Sequence, residues 1–407
     1  MNKPLSIHTP DIQEQKKHME NFTYYNRTKI IFGDGTQNLV GEECKLQGTR
    51  VLLHFGGQSI KKSGLYDQIV DSLNKAGVPF VELGGVQPNP RLSLVHEGIE
   101  LCRKEKIDLL LAVGGGSVID SAKAIALGVP YEGDVWDFYA QKAQPKAALP
   151  VATVLTIPAA GSEASDSSVL TNEDGWQKFG FTNRLITPVF SILNPRLAFT
   201  LPSYQVACGA ADIMSHLMER YFTNARSVEL TDGLIEATMR TVIRNTPRVL
   251  AKHDDYDAWA EVMWCGCVAH NNLLDTGRIG DWASHCIEHE LSALYDVAHG
   301  AGLAVVFPAW MRHVYLHDIN RFVRFAVEVW GVEKDYFNPD LTALEGIHKL
   351  KDFFMSIGLS ENLAGLKIPA DRIDEMASRA TGDDKWRIGN FVKLGKEDVA
   401  EILKSAV

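Results

Sequence analysis

The chain is predicted to fold as an α/β part on a mostly parallel, Rossmann-like sheet, residues 19–196, followed by an all-helical part, residues 197–407. Three observations predict this. Short aliphatic runs bounded by Gly, Pro or Asp alternate with helix-length segments as far as Asn194-Pro195, the pattern of a sheet covered by helices on both faces. From Leu201 onward only long amphipathic stretches follow one another. Chemistry-bearing residues are segregated as well: glycine concentrates in the first half, and eight of the 13 histidines fall between His216 and His317.

In chain order, residues 1–18 are polar and are expected to be a disordered or vector-derived extension, with Met19 as a natural start. The segment YYNRTKIIFG reads as a first strand ending at a glycine turn. Strands are then expected at Val51–Phe55, Val78–Leu83, Asp108–Val113 and Thr153–Pro158, with helices at Leu65–Ala76, Leu92–Lys104 and Val118–Leu127 between them. A short antiparallel pair is expected from Phe179–Thr182 and Ile186–Leu193. The helical part is read as Tyr204–Phe222, Val228–Asn245, Asp257–Leu274, Asp281–Leu294, Leu303–His317 and shorter helices over the last ~90 residues.

Composition narrows the class without naming a function. Length 407 matches two to three domains at roughly 150 residues each. The formal charge of -10 argues against nucleic acid or an anionic membrane as the main partner. No apolar run approaches the roughly 20 residues of a membrane span, and the N-terminal segment has no signal-peptide core. Six cysteines in so long a chain read as reduced thiols, which places the protein in the cytoplasm.

Three glycine-bearing turns follow strands in the first half. Gly114-Gly115-Gly116-Ser117 opens a helix whose free N–H groups suit a pyrophosphate, with Ser117 as the expected N-cap. A G-x-G-x-x-G fingerprint is incomplete, because Ile119 stands at its third glycine, and a bare strand–helix turn would look the same. Gly56-Gly57-Gln58-Ser59, followed by Lys61 and Lys62, has no acidic residue at the position that holds a ribose diol in NAD-specific enzymes. Ser59 with the nearby lysines suits a 2′-phosphate, so NADP(H) is the preferred reading. The third turn, Thr156–Ser165, is built of small residues, and Lys178 beyond it suits a ribose hydroxyl or a phosphate.

In the second half Asp212 and His216 are four residues apart in one expected helix and share a face. His285 and His299 complete a set of one carboxylate and three imidazoles suited to Fe²⁺ or Zn²⁺. A rival reading is a zinc hydrolase, because His285-Cys286-Ile287-Glu288-His289 matches H-x-x-E-H, with Glu288 as the base. A nucleotide-binding protein without catalysis and a lyase acting on a phosphorylated substrate are further alternatives. The lyase needs more basic residues near the histidines than this half provides. Trp264, Leu273, Trp282, Phe307 and Trp310 are candidate apolar walls.

The segments GGGSVIDSAK (114–123), IPAAGSEAS (157–165), GAADIMSHLMERYF (209–222) and DWASHCIEHELSALYDVAHGAGLAV (281–305) together resemble the iron-containing (group III) alcohol dehydrogenases, and within them the NADPH-dependent butanol dehydrogenase-like, broad-range aldehyde reductase branch. The resemblance runs from Met19 to the C-terminus and implies the dehydroquinate synthase-like fold of that family. It implies that Asp212, His216, His285 and His299 hold the metal. Gly115, Gly116, Ser117 and Asp120 would line the pyrophosphate and nicotinamide region. Thr156, Ser162 and Lys178 would contact phosphates, ribose or nicotinamide, and Gly56, Gly57 and Ser59 match the NADP-preferring pattern. His289 would lie near the substrate, outside the metal shell, and hand on a proton. A homodimer joined through the N-terminal strand is implied too. The family's Thr-Gly in the third turn is Ala160-Gly161 here, which removes one hydroxyl.

Overall fold

The computed structural model describes residues 18–407. Apart from His18, the expected N-terminal extension lies outside the described residues. Eight strands are present: β1 (Lys29–Phe32), β2 (Val51–Phe55), β3 (Phe80–Leu83), β4 (Leu109–Gly114), β5 (Val151–Leu155), β6 (Ser167–Asn172), β7 (Gln177–Thr182) and β8 (Phe190–Leu193). Six of them form one parallel sheet in the order β1-β8-β5-β4-β2-β3. β2, β4, β5 and β8 are buried along their whole length, as expected for parallel strands covered on both faces.

The helices of the first half are α1 (Val40–Lys45), α2 (Ser59–Lys62), α3 (Leu65–Ala76), α4 (Leu92–Glu105), α5 (Gly116–Gly128) and α6 (Trp136–Tyr139). α3 has the span its apolar spacing predicts: Leu65, Ile69, Leu73 and Ala76 face the core, and Gly77 ends it at φ 72°. The second half holds α7 (Ser203–Tyr221), α8 (Glu229–Ala251), α9 (Tyr256–Ala269), α10 (Ala283–Tyr295), α11 (His299–Val314), α12 (Ile319–Trp330), α13 (Pro339–Ser356), α14 (Ile373–Ala380) and α15 (Lys396–Ser405). Among the described residues no helix is long and apolar enough to cross a membrane.

The expected antiparallel pair is wrong in one partner. β7 pairs with β6, not with the segment Ile186–Leu193. The end of that segment, β8, inserts between β1 and β5 of the parallel sheet. Phe190–Leu193 is buried throughout, which suits an internal strand, whereas β6 is half-exposed and too rich in Ser, Thr and Asn to stand out as a strand. β5 ends at Leu155, earlier than expected, because its neighbours β4 and β8 end beside it at Gly114 and Leu193.

Two apolar clusters frame the sheet. One, on the side of α3, joins Val51, Leu53, Ile69, Leu73 and Ile192. The other packs α4 and α5 against the sheet and continues through α7, α9, α10 and α11 into the C-terminal helices. The helical half is thus seated on the sheet through shared core. The order of strands reverses between β2 and β4, and the ends of these strands open a crevice there.

Candidate active site

That crevice is a cleft of about 1390 Å³ reaching from the strand ends to the helices α7, α10 and α11. The residues expected to hold cofactor and metal, and His289, line it: Gly56, Gly57, Ser59, Gly115, Gly116, Ser117, Asp120, Thr156, Ser162 and Lys178 from the sheet side, and Asp212, His216, His285, His289 and His299 from the helical side.

On the sheet side α5 begins at Gly116, with Gly115 at the N-cap position. Ser117 is therefore inside the first turn, not at the cap as expected. The extended Gly115 backbone lies so close to the third turn that a Cβ there would sit 2.9 Å from Ile157 Cβ. The third turn is clamped from below by Lys123, which is fully buried. Its ammonium donates to the carbonyls of Ser162 (2.7 Å), Ser165 (2.9 Å) and Ser167 (2.8 Å). Ser162 Oγ donates to Asp120 Oδ1 at 2.6 Å, and Asp120 Oδ2 accepts from the Val169 N–H at 3.0 Å. Asp120 and Ser162 thus present a fixed edge to the cleft.

The lysines expected beside Ser59 are elsewhere. Lys61 stacks over Phe55 and Tyr66, with its ammonium 5.1 and 4.7 Å from the ring centroids and 4.0 Å from Glu82. Neither Lys61 nor Lys62 lines the cleft. The Lys61 ammonium and its amphipathic stem find a better seat on the aromatic rings than in a polar groove. Of the proposed apolar walls only Trp282 borders the cleft. Phe307 and Trp310 are core, and Trp264 packs edge-on against Phe32.

On the helical side Asp212 and His216 sit one turn apart on α7, with His216 Nδ1 3.8 Å from Asp212 Oδ1. His285 is in the first turn of α10, and His299 is the first residue of α11, which begins before the expected start at Leu303. Donor atoms of Asp212, His285 and His299 all lie within 4.8 Å of one another. The His216 ring stacks on that of His285 at 4.9 Å. Close approach of α11 to α7 depends on Gly300, where a Cβ would lie 2.0 Å from the Cys208 carbonyl oxygen. Gly300→Ala is expected to destabilise the protein by about 3 kcal/mol, measured by urea unfolding, because two backbones must move apart.

Two carboxylates that sequence reasoning did not place in this role organise the histidines. Glu219, fully buried on α7, accepts from His285 Nδ1 at 2.7 Å, from the His285 backbone N–H at 3.1 Å and from the Trp282 N–H at 2.5 Å. Glu288, also fully buried, accepts from His299 Nδ1 and from the Ser292 hydroxyl, and lies 3.5 Å from Lys178 Nζ. Each imidazole thereby has its proton on Nδ1 and turns Nε2 to the cluster. His285 Nε2, Asp212 Oδ1 and His216 Nδ1 are buried and make no hydrogen bond. Buried polar atoms are rarely left so. Burial holds His216 well below the usual imidazole range, with His270 adding to the effect, so it is neutral, the form that binds a metal. Asp212 and His285 belong to the cluster with His299, and His216 Nδ1 lies 3.8 Å from Asp212 Oδ1, so one carboxylate and three imidazoles fit a divalent ion of borderline hardness.

The same contacts remove the hydrolase reading. A general base must face a water, yet Glu288 has no exposed surface and spends its oxygens on His299 and Ser292. Burial works to raise its pKa, but His299 and Lys178 hold the carboxyl well below the usual carboxylate range.

Comparison with known proteins agrees with this geometry. Residues 27–195 match the family model for iron-containing alcohol dehydrogenase, and residues 206–407 match the C-terminal model of the Fe-containing alcohol dehydrogenase family. The chain belongs to the iron-containing alcohol dehydrogenase family. It is an alcohol–aldehyde oxidoreductase, and the family implies a metal and a nicotinamide cofactor. A probable NADH-dependent butanol dehydrogenase of Bacillus subtilis is 45% identical over 389 residues, covering 96% of this chain and all of that one. The NADPH-dependent aldehyde reductase YqhD of Escherichia coli is 33% identical, covering 86% and 92%. Among solved structures, the NADH-dependent butanol dehydrogenase A of Thermotoga maritima superposes with a TM-score of 0.93 at 45% identity, covering 96% of this chain and 99% of that one.

Proposed function

We propose that this alcohol dehydrogenase interconverts linear aldehydes and primary alcohols using NADP(H) and one divalent metal, Fe²⁺ or Zn²⁺. The single observation that carries the reading is one continuous cleft with glycine turns at one end and orphaned metal-type donors at the other. Asp212, His216, His285 and His299 would hold the ion. Gly115, Gly116 and Ser117 at the start of α5 would take the pyrophosphate, and Asp120, Thr156, Ser162 and Lys178 the nicotinamide half. The names of the relatives divide between NADH and NADPH. The preference for NADP(H) rests on this chain's own Gly56, Gly57 and Ser59, which leave that corner of the cleft without a carboxylate at the end of β2.

A metal held by Asp212, His216, His285 and His299 would supply Lewis-acid polarisation of a carbonyl oxygen, and a nicotinamide cofactor the hydride, while the residues of the cleft would orient both. Trp282 borders the cleft beside the histidines, its ring 5.2 Å from that of His285. His289 lines the cleft 5.7 Å, ring to ring, from His299. Burial and the nearby Lys178 hold it well below the usual imidazole range, so it is a neutral relay that passes a proton to the product oxygen rather than a stored imidazolium. His289→Ala is expected to lower kcat about 100-fold at neutral pH while NADPH affinity stays unchanged. An unaltered rate and pH profile would remove His289 from the reaction.

We also propose residues 19–196 and 197–407 as the cofactor and metal domains, and a cytoplasmic homodimer. The six unpaired cysteines and the open outer edge of β1 support the latter two. The test of the activity is NADPH oxidation on a panel of linear aldehydes, with apoprotein reconstituted in turn with Fe²⁺ and Zn²⁺. Oxidation that depends on aldehyde and on one metal is expected. Its absence with both would overturn the assignment.

A further inference from the structure

Glu288 stands between the two ends of the cleft. On one side its carboxylate accepts from His299 Nδ1; on the other it lies 3.5 Å from the Lys178 ammonium. Lys178 comes from β7, in the sheet half, and His299 from α11, in the helical half. Lys178 Nζ is buried, makes no hydrogen bond among the described residues and borders the cleft. Its partner Glu288 is already committed to His299 and Ser292. A buried ammonium without a hydrogen bond is costly, and an acceptor arriving in the cleft relieves it.

We infer that Glu288 is a positioning residue that couples cofactor binding to metal retention. The inference rests on the proposed ligand set and on Lys178 contacting the cofactor. A Glu288 carboxylate bonded to His299 Nδ1 fixes the tautomer and makes Nε2 a better donor to the ion. While Lys178 faces Glu288 alone, its charge draws on the same carboxylate. When a ribose hydroxyl or phosphate oxygen engages Lys178, more of the carboxylate's charge acts on His299, and the ion is held more tightly. Linkage then requires that the metal tighten cofactor binding by the same factor.

The experiment measures zinc loss from the reconstituted enzyme to a chromogenic chelator, with and without saturating NADP⁺, in the wild type, Glu288→Gln, Lys178→Met and Asp212→Ala. Circular dichroism and thermal melting establish that each variant is folded. In the wild type NADP⁺ is expected to slow zinc loss about 5-fold or more. Glu288→Gln, which keeps the volume and an acceptor oxygen but loses the charge, is expected to release zinc about 10-fold faster and to show no NADP⁺ effect. Lys178→Met is expected to retain zinc without cofactor at least as well as the wild type, and also to lose the NADP⁺ effect. Wild-type release that ignores NADP⁺, or a Glu288→Gln protein that keeps both the slow release and the NADP⁺ effect, overturns the coupling. Asp212→Ala separates the two levels. If it keeps zinc as the wild type does, the ligand set itself is wrong; if it alone loses zinc, the ligand set stands and the role of Glu288 falls.

Discussion

Asp212→Ala is expected to lower kcat/KM for NADPH-dependent butanal reduction by about 1000-fold, the rate equivalent of losing several kcal/mol of charge stabilisation at the carbonyl oxygen. Among the described residues, Asp212 is the only carboxylate whose oxygen lies among the histidine donors and makes no hydrogen bond. The variant should also fail to co-purify with a metal, measured by elemental analysis, while its NADPH affinity falls far less. Treating the wild type with a chelator should reproduce the loss, and Fe²⁺ or Zn²⁺ should restore it in the wild type but not in Asp212→Ala. A variant that keeps both metal and activity would mean that the cluster is not the reaction centre.

A second large effect is expected from Gly56→Asp. Gly56 directly follows β2, and a Cβ built there meets nothing nearer than the Val86 carbonyl oxygen at 3.5 Å, an ordinary contact. An aspartate would set a negative charge against the 2′-phosphate of NADPH and offer a hydrogen-bond acceptor to the ribose diol of NADH. Like charges so placed cost several kcal/mol, so kcat/KM with NADPH should fall about 100-fold or more while that with NADH rises. The measurement is the ratio of the two kcat/KM values before and after substitution. A wild type that already prefers NADH would overturn the cofactor preference at once, and the substitution would then change the ratio little.

Much of the fold was readable in the sequence because its signals were local. β2 and α3 occupy the predicted residues, since each is an unambiguous apolar pattern closed by glycine. β8 was misassigned because a short, mostly apolar run (Phe190, Ser191, Ile192, Leu193) does not say which neighbour it will pair with. The metal-type residues were legible through their chemistry, and Asp212 and His216 through helical spacing as well. Glu219 was missed although the same spacing extends to it: positions 212, 216 and 219 fall on one face of α7. Its partner His285 is 66 residues away, and only the tertiary fold brings the two together. Glu288 was noticed for the wrong reason. Its sequence context resembles a hydrolase base, and only its complete burial against His299 shows that it serves an imidazole instead of a water.

The bonds made by Glu219 carry a consequence for how the enzyme acquires its ion. One carboxylate holds the Trp282 and His285 amides and the His285 ring, and it fixes a left-handed turn at Trp282 (φ 69°) just before α10. The bend of the chain and the aim of the ligand are therefore set by the same protein group, and a chain of this length has core enough to fold on its own. Small zinc domains gather their ligands around the ion and collapse when it is removed. This protein has its scaffold finished beforehand. Treatment with a chelator is therefore expected to leave the helical circular dichroism of the protein intact, and its loss on metal removal would show that the ion holds the scaffold together.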